Sequence, residues 1–242
     1  MKGNISTDIQ NITRLLTKQK ICNDISPVAK AISNAKHGDF FQIEKFSLRI
    51  NSVPRNTKPK VHSLNIVLNV SIPKIQSEDM TLLLNDYFFS IEISGYDENG
   101  KHVKSSWHLD YDNTDKAEYI HPHFHLTFGG QIMENVNLGD VLLLPAPRIS
   151  YPPMDIVLGI DFILSNFVEK KVYNELRCDP QYKSAVKNAQ ARLWKPYILS
   201  LAHFWCKHQC GEYHIDPMQS KNFNPNLLEC KHSVNHVANF VN

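Results

Sequence analysis

Alternating apolar and polar residues in the middle of the chain predict a β-sheet. In SLNIVLNVSI (63–72) every even-numbered residue is apolar, and DYFFSIEIS (86–94) has buried-type residues at every second position. Successive side chains of a strand point to opposite faces of a sheet, so each segment has one buried face. The segments 102–111 and 119–128 alternate in the same way and follow YDENGK, whose Asn-Gly pair is a strong hairpin signal. We therefore predict a mainly antiparallel sheet.

Further strands and a buried face are predicted within the same region. A first strand is expected at 46–53, and DVLLLPAP (140–147) is typical of a short buried strand that ends at prolines. NSVPRNTKPK (51–60) is predicted to be a loop. The residues expected to be buried on the 102–111 and 119–128 strands are Trp107, Leu109, Phe124 and Leu126.

Before and after the sheet region, apolar residues recur at the spacing of an α-helix. Apolar residues recur at helical spacing over 5–20, and Ser26-Pro27 is typical of the N-cap and first turn of a second helix that ends near residue 35. After Pro153 the helical period returns at 156–167. Two more helices are predicted on either side of Pro196. They span about 179–193 and 196–208.

These patterns predict an α+β fold: a mainly antiparallel β-sheet with N-terminal helices and a helical C-terminal third. We expect N-terminal helices in 1–40, an α+β core domain in 41–210 and an irregular tail rich in His and Cys in 211–242.

Composition narrows the classes of function. The 242 residues carry a net charge of only +2, which argues against a nucleic-acid binder that relies on bulk electrostatics and leaves a local basic groove as an alternative. The first residues lack the apolar core of a signal peptide, and no stretch approaches the roughly 18 apolar residues of a membrane span. Five cysteines, an odd number, are typical of a reducing compartment. We therefore expect a cytoplasmic protein that does not bind membranes.

Aromatic residues are frequent on the predicted strands, as in Tyr87, Phe88 and Phe89. They fall mainly at buried-face positions, which favours a role in the core over a platform for base stacking. No Gly-x-Gly-x-x-Gly motif, phosphate-binding loop or Gly-x-Ser-x-Gly motif occurs in the sequence.

The chain's most distinctive feature is a cluster of histidines in WHLDYDNTDKAEYIHPHFHLTFGG (107–130). His121, His123 and His125 alternate and would share one strand face, about 7 Å apart, so two of them could converge on one zinc or another divalent metal ion. If 102–111 pairs with 119–128, His108 and Asp110 would lie on that face too. Acid–base chemistry by two histidines and a solvent-exposed strand face without chemistry are the alternatives.

A second group of candidate ligands lies near the end of the chain. HFWCKHQCGEYH and LLECKHSVNH contain Cys206, Cys210, Cys230 and His232, which could form a structural zinc site. Such a site would stabilise a tail that has little apolar core of its own. The alternative is a set of free thiols.

The histidine segment and the helix after it resemble a family of bacterial proteins of unknown function. The family pattern is His-Pro-x-x-His-Leu-Thr-x-Gly, then an Arg flanked by prolines, then a helix that ends in Ile-Leu-x-Asn-Phe. The matching positions are His121, Pro122, His125, Leu126, Thr127, Gly129 (displaced by one), Arg148, Asn166 and Phe167. A looser resemblance, through DYDN and HPHFH, is to small toxins of a toxin–antitoxin class.

These resemblances imply an effector of mobile-element or defence type. The expected partners are a nucleic acid or nucleotide and a protein encoded nearby. We expect cleavage of phosphodiester bonds, with His121 and His125 as metal ligands or an acid–base pair. Asp110 would orient a histidine or bind the metal, His108 would assist, and Arg148 would neutralise phosphate charge. The alternative is a non-enzymatic subunit of a toxin–antitoxin or defence complex, whose histidine face is structural or forms an interface.

Overall fold

The computed structural model describes residues 4–35, 41–72, 87–111, 124–130, 133 and 149–207. Its helices and strands are α1 (Ile5–Lys18), α2 (Ser26–Ala35), β1 (Phe41–Ile50), β2 (Val61–Ile72), β3 (Phe88–Asp97), β4 (His102–Tyr111), β5 (Phe124–Phe128), β6 (Ile149–Ser150), α3 (Ile156–Phe167), α4 (Lys170–Cys178) and α5 (Pro180–Lys207). This arrangement confirms the predicted α+β class.

The six strands form one sheet in which neighbours along the chain are also neighbours in space. Every adjacent pair is antiparallel. The turn between β3 and β4 follows the YDENGK signal: Oδ1 of Asp97 accepts hydrogen bonds from the backbone N–H groups of Asn99 and Lys101, at 2.9 and 2.8 Å. Gly100 has a φ of +75°, which glycine adopts without strain.

The apolar face of the sheet forms the core with the helices. Alternate residues of the strands are buried there, as the sequence pattern predicts, and α2 packs against β1. Helix α3 approaches the sheet closely at Gly159. A Cβ atom at this position would lie 2.6 Å from Cε2 of Phe89 and 3.4 Å from Cδ1 of Leu68. Glycine is therefore needed for α3 to lie this near to β2 and β3.

A buried charged cluster joins the helices from the two ends of the chain. The guanidinium group of Arg192 on α5 lies 2.5 Å from Asp8 on α1 and 3.2 Å from Asp155, the N-cap of α3. Asp8 also accepts a hydrogen bond from Asn188, at 2.9 Å. Burial raises the pKa of Asp155, and Arg192 opposes that shift. Because paired charges of this kind are costly to separate, α1, α3 and α5 are held in fixed relative positions.

The C-terminal helices differ from the prediction in two respects. The backbone of α5 is helical through Pro196, where the sequence predicts a break. A proline inside a helix costs about 3 kcal/mol, but Leu193 and Tyr197 on either side of it are both buried, and this burial offsets the cost. Helix α4 is not predicted because it has only nine residues, of which Leu176 alone is buried.

The predicted strand boundaries differ from the structure in β1 and β6. Strand β1 begins at Phe41 rather than near residue 46, because a bulge between Ile43 and Phe46 interrupts the alternation. The short edge strand β6 is not predicted. The DVLLLPAP segment and residues 119–123 lie outside the described residues. Within the described part of the chain, no helix is long and apolar enough to cross a membrane.

Candidate functional site

The pairing of β4 with β5 brings part of the histidine cluster together. Asp110 lies directly opposite His125, and His108 lies directly opposite Thr127. Residues opposite each other in adjacent strands project from the same face of a sheet. The prediction that His108 and Asp110 share a face with His125 is therefore confirmed. This face is opposite to the one that packs on α3.

His108 and Asp110 are in direct contact. Nε2 of His108 lies 3.2 Å from Oδ2 of Asp110, and the two side chains are 25% and 38% exposed. A carboxylate on one ring nitrogen fixes the orientation of an imidazole and stabilises its protonated form. The pair is thus both oriented and accessible to a ligand.

The β5 side of this face is buried. His125 is only 3% exposed, so the interpretation of a solvent-exposed histidine face is wrong at this position. Thr127 is buried as well, and its Oγ1 atom has no hydrogen-bond partner within the described residues. A buried hydroxyl group without a partner costs about 1–3 kcal/mol. This atom is closed to solvent, so Thr127 belongs to the packing of the face.

A glycine pair after β5 covers His108. Gly129 and Gly130 have φ angles of +91° and +83°, and the backbone N–H of Gly129 donates to the carbonyl oxygen of Ser106 at 2.9 Å. The hydroxyl group of Ser106 donates to the carbonyl oxygen of Gly129. A Cβ atom on Gly130 would lie 3.1 Å from Cε1 and 3.4 Å from Nδ1 of His108. The backbone of Gly130 therefore packs directly against the imidazole ring.

We expect Gly130→Ala to reduce any activity of this site by displacing His108. Gly129→Ala is the matched control, because its φ is also positive but a Cβ there would meet nothing within 4 Å. Both substitutions should lower the free energy of unfolding by about 1–2 kcal/mol, since alanine is strained at positive φ. Only Gly130→Ala should lower the rate beyond this shared effect. Equal rates for the two variants would show that Gly130 does not position His108.

Tyr87 anchors the other face of the sheet near this site. Its hydroxyl group donates to the carbonyl oxygen of Met154 at 3.1 Å and accepts from the N–H of the same residue at 2.9 Å. Burial raises the pKa of Tyr87 well above its usual value, and the negative charges of Asp155 and Asp110 raise it further. Tyr87 therefore stays protonated and holds β3 to the segment before α3.

The remaining predicted site residues are not brought into this arrangement by the described structure. Cys206 lies on the last turns of α5, and only its backbone is described. The predicted site residues outside the described ranges are His121, His123, Arg148, Cys210, Cys230 and His232. In the described ranges, no group of three or more His, Cys, Asp or Glu residues is arranged to hold a metal ion. The predicted zinc sites stay predictions.

The sequence pattern does not identify three features of this face. Thr127 falls in the His-Leu-Thr segment, but nothing in the sequence shows that its hydroxyl group is buried without a partner. The contact of Gly130 with His108 depends on strand register, which sequence does not determine. The alternation places Phe88 on this face, opposite to Tyr87 and Phe89, but it does not show how far the ring is exposed.

Comparisons of the chain with protein-family models, curated proteins and solved structures give no match. The function must therefore be argued from the geometry of the site, and the resemblances drawn from the sequence motifs stay predictions.

Proposed function

We propose that the polar face of β4 and β5 is an acid–base site that cleaves phosphodiester bonds in a nucleic acid or nucleotide. The observation that carries this proposal is a carboxylate that contacts one imidazole and lies opposite a second histidine on the neighbouring strand. Asp110 contacts His108 at 3.2 Å and lies directly opposite His125 on the neighbouring strand. Two histidines that exchange protons with a reacting group contribute typically 10²–10⁴-fold to a rate.

The more exposed histidine of this group is assigned the role of general base. His108 takes a proton from the attacking water or hydroxyl group, and Asp110 stabilises the imidazolium ion that forms. His125 gives a proton to the leaving oxygen. When the product leaves, His108 releases its proton to solvent and His125 takes one up from solvent. The bond that forms is phosphorus to the nucleophile oxygen, and the bond that breaks is phosphorus to the leaving oxygen.

The burial around His125 supports this assignment in one respect. Charges act more strongly where water is excluded, so a proton donor on the buried side of the face interacts strongly with a developing oxyanion. The sequence motifs add two residues to this proposal: Arg148 and, as an additional histidine, His121.

A non-enzymatic role is the second candidate, and the burial of His125 favours it. A histidine that is 3% exposed, beside a tightly bonded Ser106–Gly129 turn, is also compatible with a structural function. The protein would then act through a partner, as the toxin–antitoxin and defence resemblance implies. The two candidates differ in what histidine substitution changes: reaction rate in the first, stability in the second.

The proposal is tested by incubating the purified full chain with bis(p-nitrophenyl) phosphate and with labelled single-stranded and double-stranded oligonucleotides. We expect cleavage of at least one of these substrates, and activity that survives a strong chelator. Loss of cleavage in chelator would contradict the metal-free mechanism and favour metal binding by His121, His123 and His125. Absence of cleavage of all these substrates would contradict the enzymatic proposal.

A further inference from the structure

One row of residues runs across the polar face of the sheet and passes through the proposed site. Register places Gln42, Ser71, Phe88, Asp110 and His125 opposite one another on successive strands β1 to β5. Adjacent strands are about 4.8 Å apart, so the Phe88 ring is the immediate neighbour of Asp110 on the β3 side. The candidate site thus has an aromatic residue at its border.

Phe88 is exposed in a way that the core does not explain. Its side chain is 47% exposed, while Tyr87 and Phe89 on either side of it are buried on the opposite face. Most other described positions of this row and of the row beside it are polar. An exposed aromatic ring next to polar groups is a common component of sites that bind flat ligands.

A cleft of about 210 Å³ adjoins the Phe88 ring. Its polar lining comes from Gln42, Glu44, Lys45, Asn69 and Ser71. It lies at the β1 bulge, where Lys45 has a φ of +55°.

Hydrogen bonds fix the walls of this cleft. The amide of Asn69 links three strands: its Oδ1 accepts from the backbone N–H of Lys45 at 2.8 Å, and its Nδ2 donates to Oγ of Ser90 at 3.1 Å. Ser90 lies directly opposite His108. The cleft and the histidine site are therefore built on the same rigid rows of the sheet.

The charges of the cleft favour an uncharged polar ligand. It contains one ammonium group, Lys45, and one carboxylate, Glu44, and the carboxylate already accepts a hydrogen bond from Gln42 at 2.6 Å. A phosphate group gains little in such balanced surroundings. The edge of a nucleobase, with its donors and acceptors, is a better match for the amide, hydroxyl and charged groups present.

We propose that Phe88 and this cleft bind an unpaired nucleobase of the substrate, stacked on the ring, while the adjoining phosphate lies at His108 and Asp110. This inference rests on the proposed function and deepens it by selecting single-stranded nucleic acid. A base inside a duplex is already stacked on both faces and paired at its edge, so it is not available to Phe88.

The test is the binding of a labelled single-stranded oligonucleotide to the full chain, measured by fluorescence anisotropy in the His108→Ala background to prevent cleavage. Phe88→Ala should weaken binding about 5- to 100-fold, and Phe88→Trp should preserve it. Phe88→Leu keeps an apolar side chain but removes the ring, so it should weaken binding as much as Phe88→Ala does. It tests the ring even if the alanine variant folds poorly. Tyr96→Ala is the matched control, because Tyr96 is an exposed aromatic on the same face at the other end of β3.

The outcomes separate this inference from the proposed function. A duplex of the same sequence should bind more weakly, and a nucleoside monophosphate should compete better than ribose 5-phosphate. Equal effects of Phe88→Leu and Tyr96→Ala, or equal binding of duplex and single strand, would overturn the nucleobase site. Ring-dependent binding in a chain that cleaves nothing would support the nucleobase site and contradict the phosphodiesterase. The Phe88→Leu substitution is also made in the chain that keeps His108. Cleavage that this substitution leaves unaltered would support the phosphodiesterase and contradict the nucleobase site.

Discussion

Phe124→Ala should lower the free energy of unfolding by about 3–5 kcal/mol. The Phe124 side chain is 1% exposed, and its ring centroid lies 5.3 Å from Tyr87, 5.2 Å from Tyr111 and 5.8 Å from Tyr197. Removing this ring would leave a cavity between β5, β4 and α5. The surrounding aromatic side chains could close it only in part, because each is held by contacts of its own.

Urea denaturation of Phe124→Ala and Phe128→Ala provides a matched comparison on one strand. Phe128 belongs to the same face of β5 but is 36% exposed, and we expect its substitution to cost about 1 kcal/mol. A loss below about 1 kcal/mol for Phe124→Ala, or equal losses for the two variants, would show that the register of β5 is wrong.

The strands were predictable wherever one face of the sheet is continuously buried. The limits of β4 agree with the 102–111 prediction, and three of the four residues expected to be buried on β4 and β5, Leu109, Phe124 and Leu126, are buried. Trp107 is only partly buried. It lies opposite the partly exposed Phe128, where the apolar face meets solvent.

Elements that depend on tertiary contacts were not predictable in the same way. A helix that continues through Pro196 opposes a strong local preference, and packing of the residues around the proline offsets this cost. The α4 helix has nine residues, which is too short for a clear helical pattern of apolar residues, and it buries only Leu176. Edge strand β6 has only two residues, which is too short for any alternation.

The candidate site was predictable only in part, for a related reason. The spacing of His108 and Asp110 places both side chains on one strand face, and His125 belongs to an alternating set. The position of His125 relative to these two residues depends on the register between the strands. A shift of one residue would move His125 to the other face of the sheet. The approach of Gly130 to His108 arises from the folded arrangement and has no separate signal in the sequence. The alternation of Tyr87 and Phe89 does place Phe88 on the polar face.

Substitution of the histidines and Asp110 should have the largest effect on function. His108→Ala removes the proposed general base, and His125→Ala removes the proposed acid, so each should lower the rate of phosphodiester cleavage about 10²–10⁴-fold. Asp110→Asn keeps the shape of the side chain and removes the charge that stabilises the imidazolium ion, and it should also lower the rate. His125 is buried, so a comparison of His125→Gln with His125→Ala separates loss of the imidazole from loss of packing.

The central claim is that the imidazole at His108 acts in chemistry rather than in folding, and one measurement tests it most directly. The cleavage rate and melting temperature of His108→Ala are compared with those of His102→Ala, an exposed histidine on the same face of β4. We expect His108→Ala to lose about 10²–10⁴ in rate while its melting temperature stays within about 2 °C of the unsubstituted chain, and His102→Ala to change neither. An unchanged rate in His108→Ala, or a loss of rate that follows a comparable loss of stability, would contradict this account.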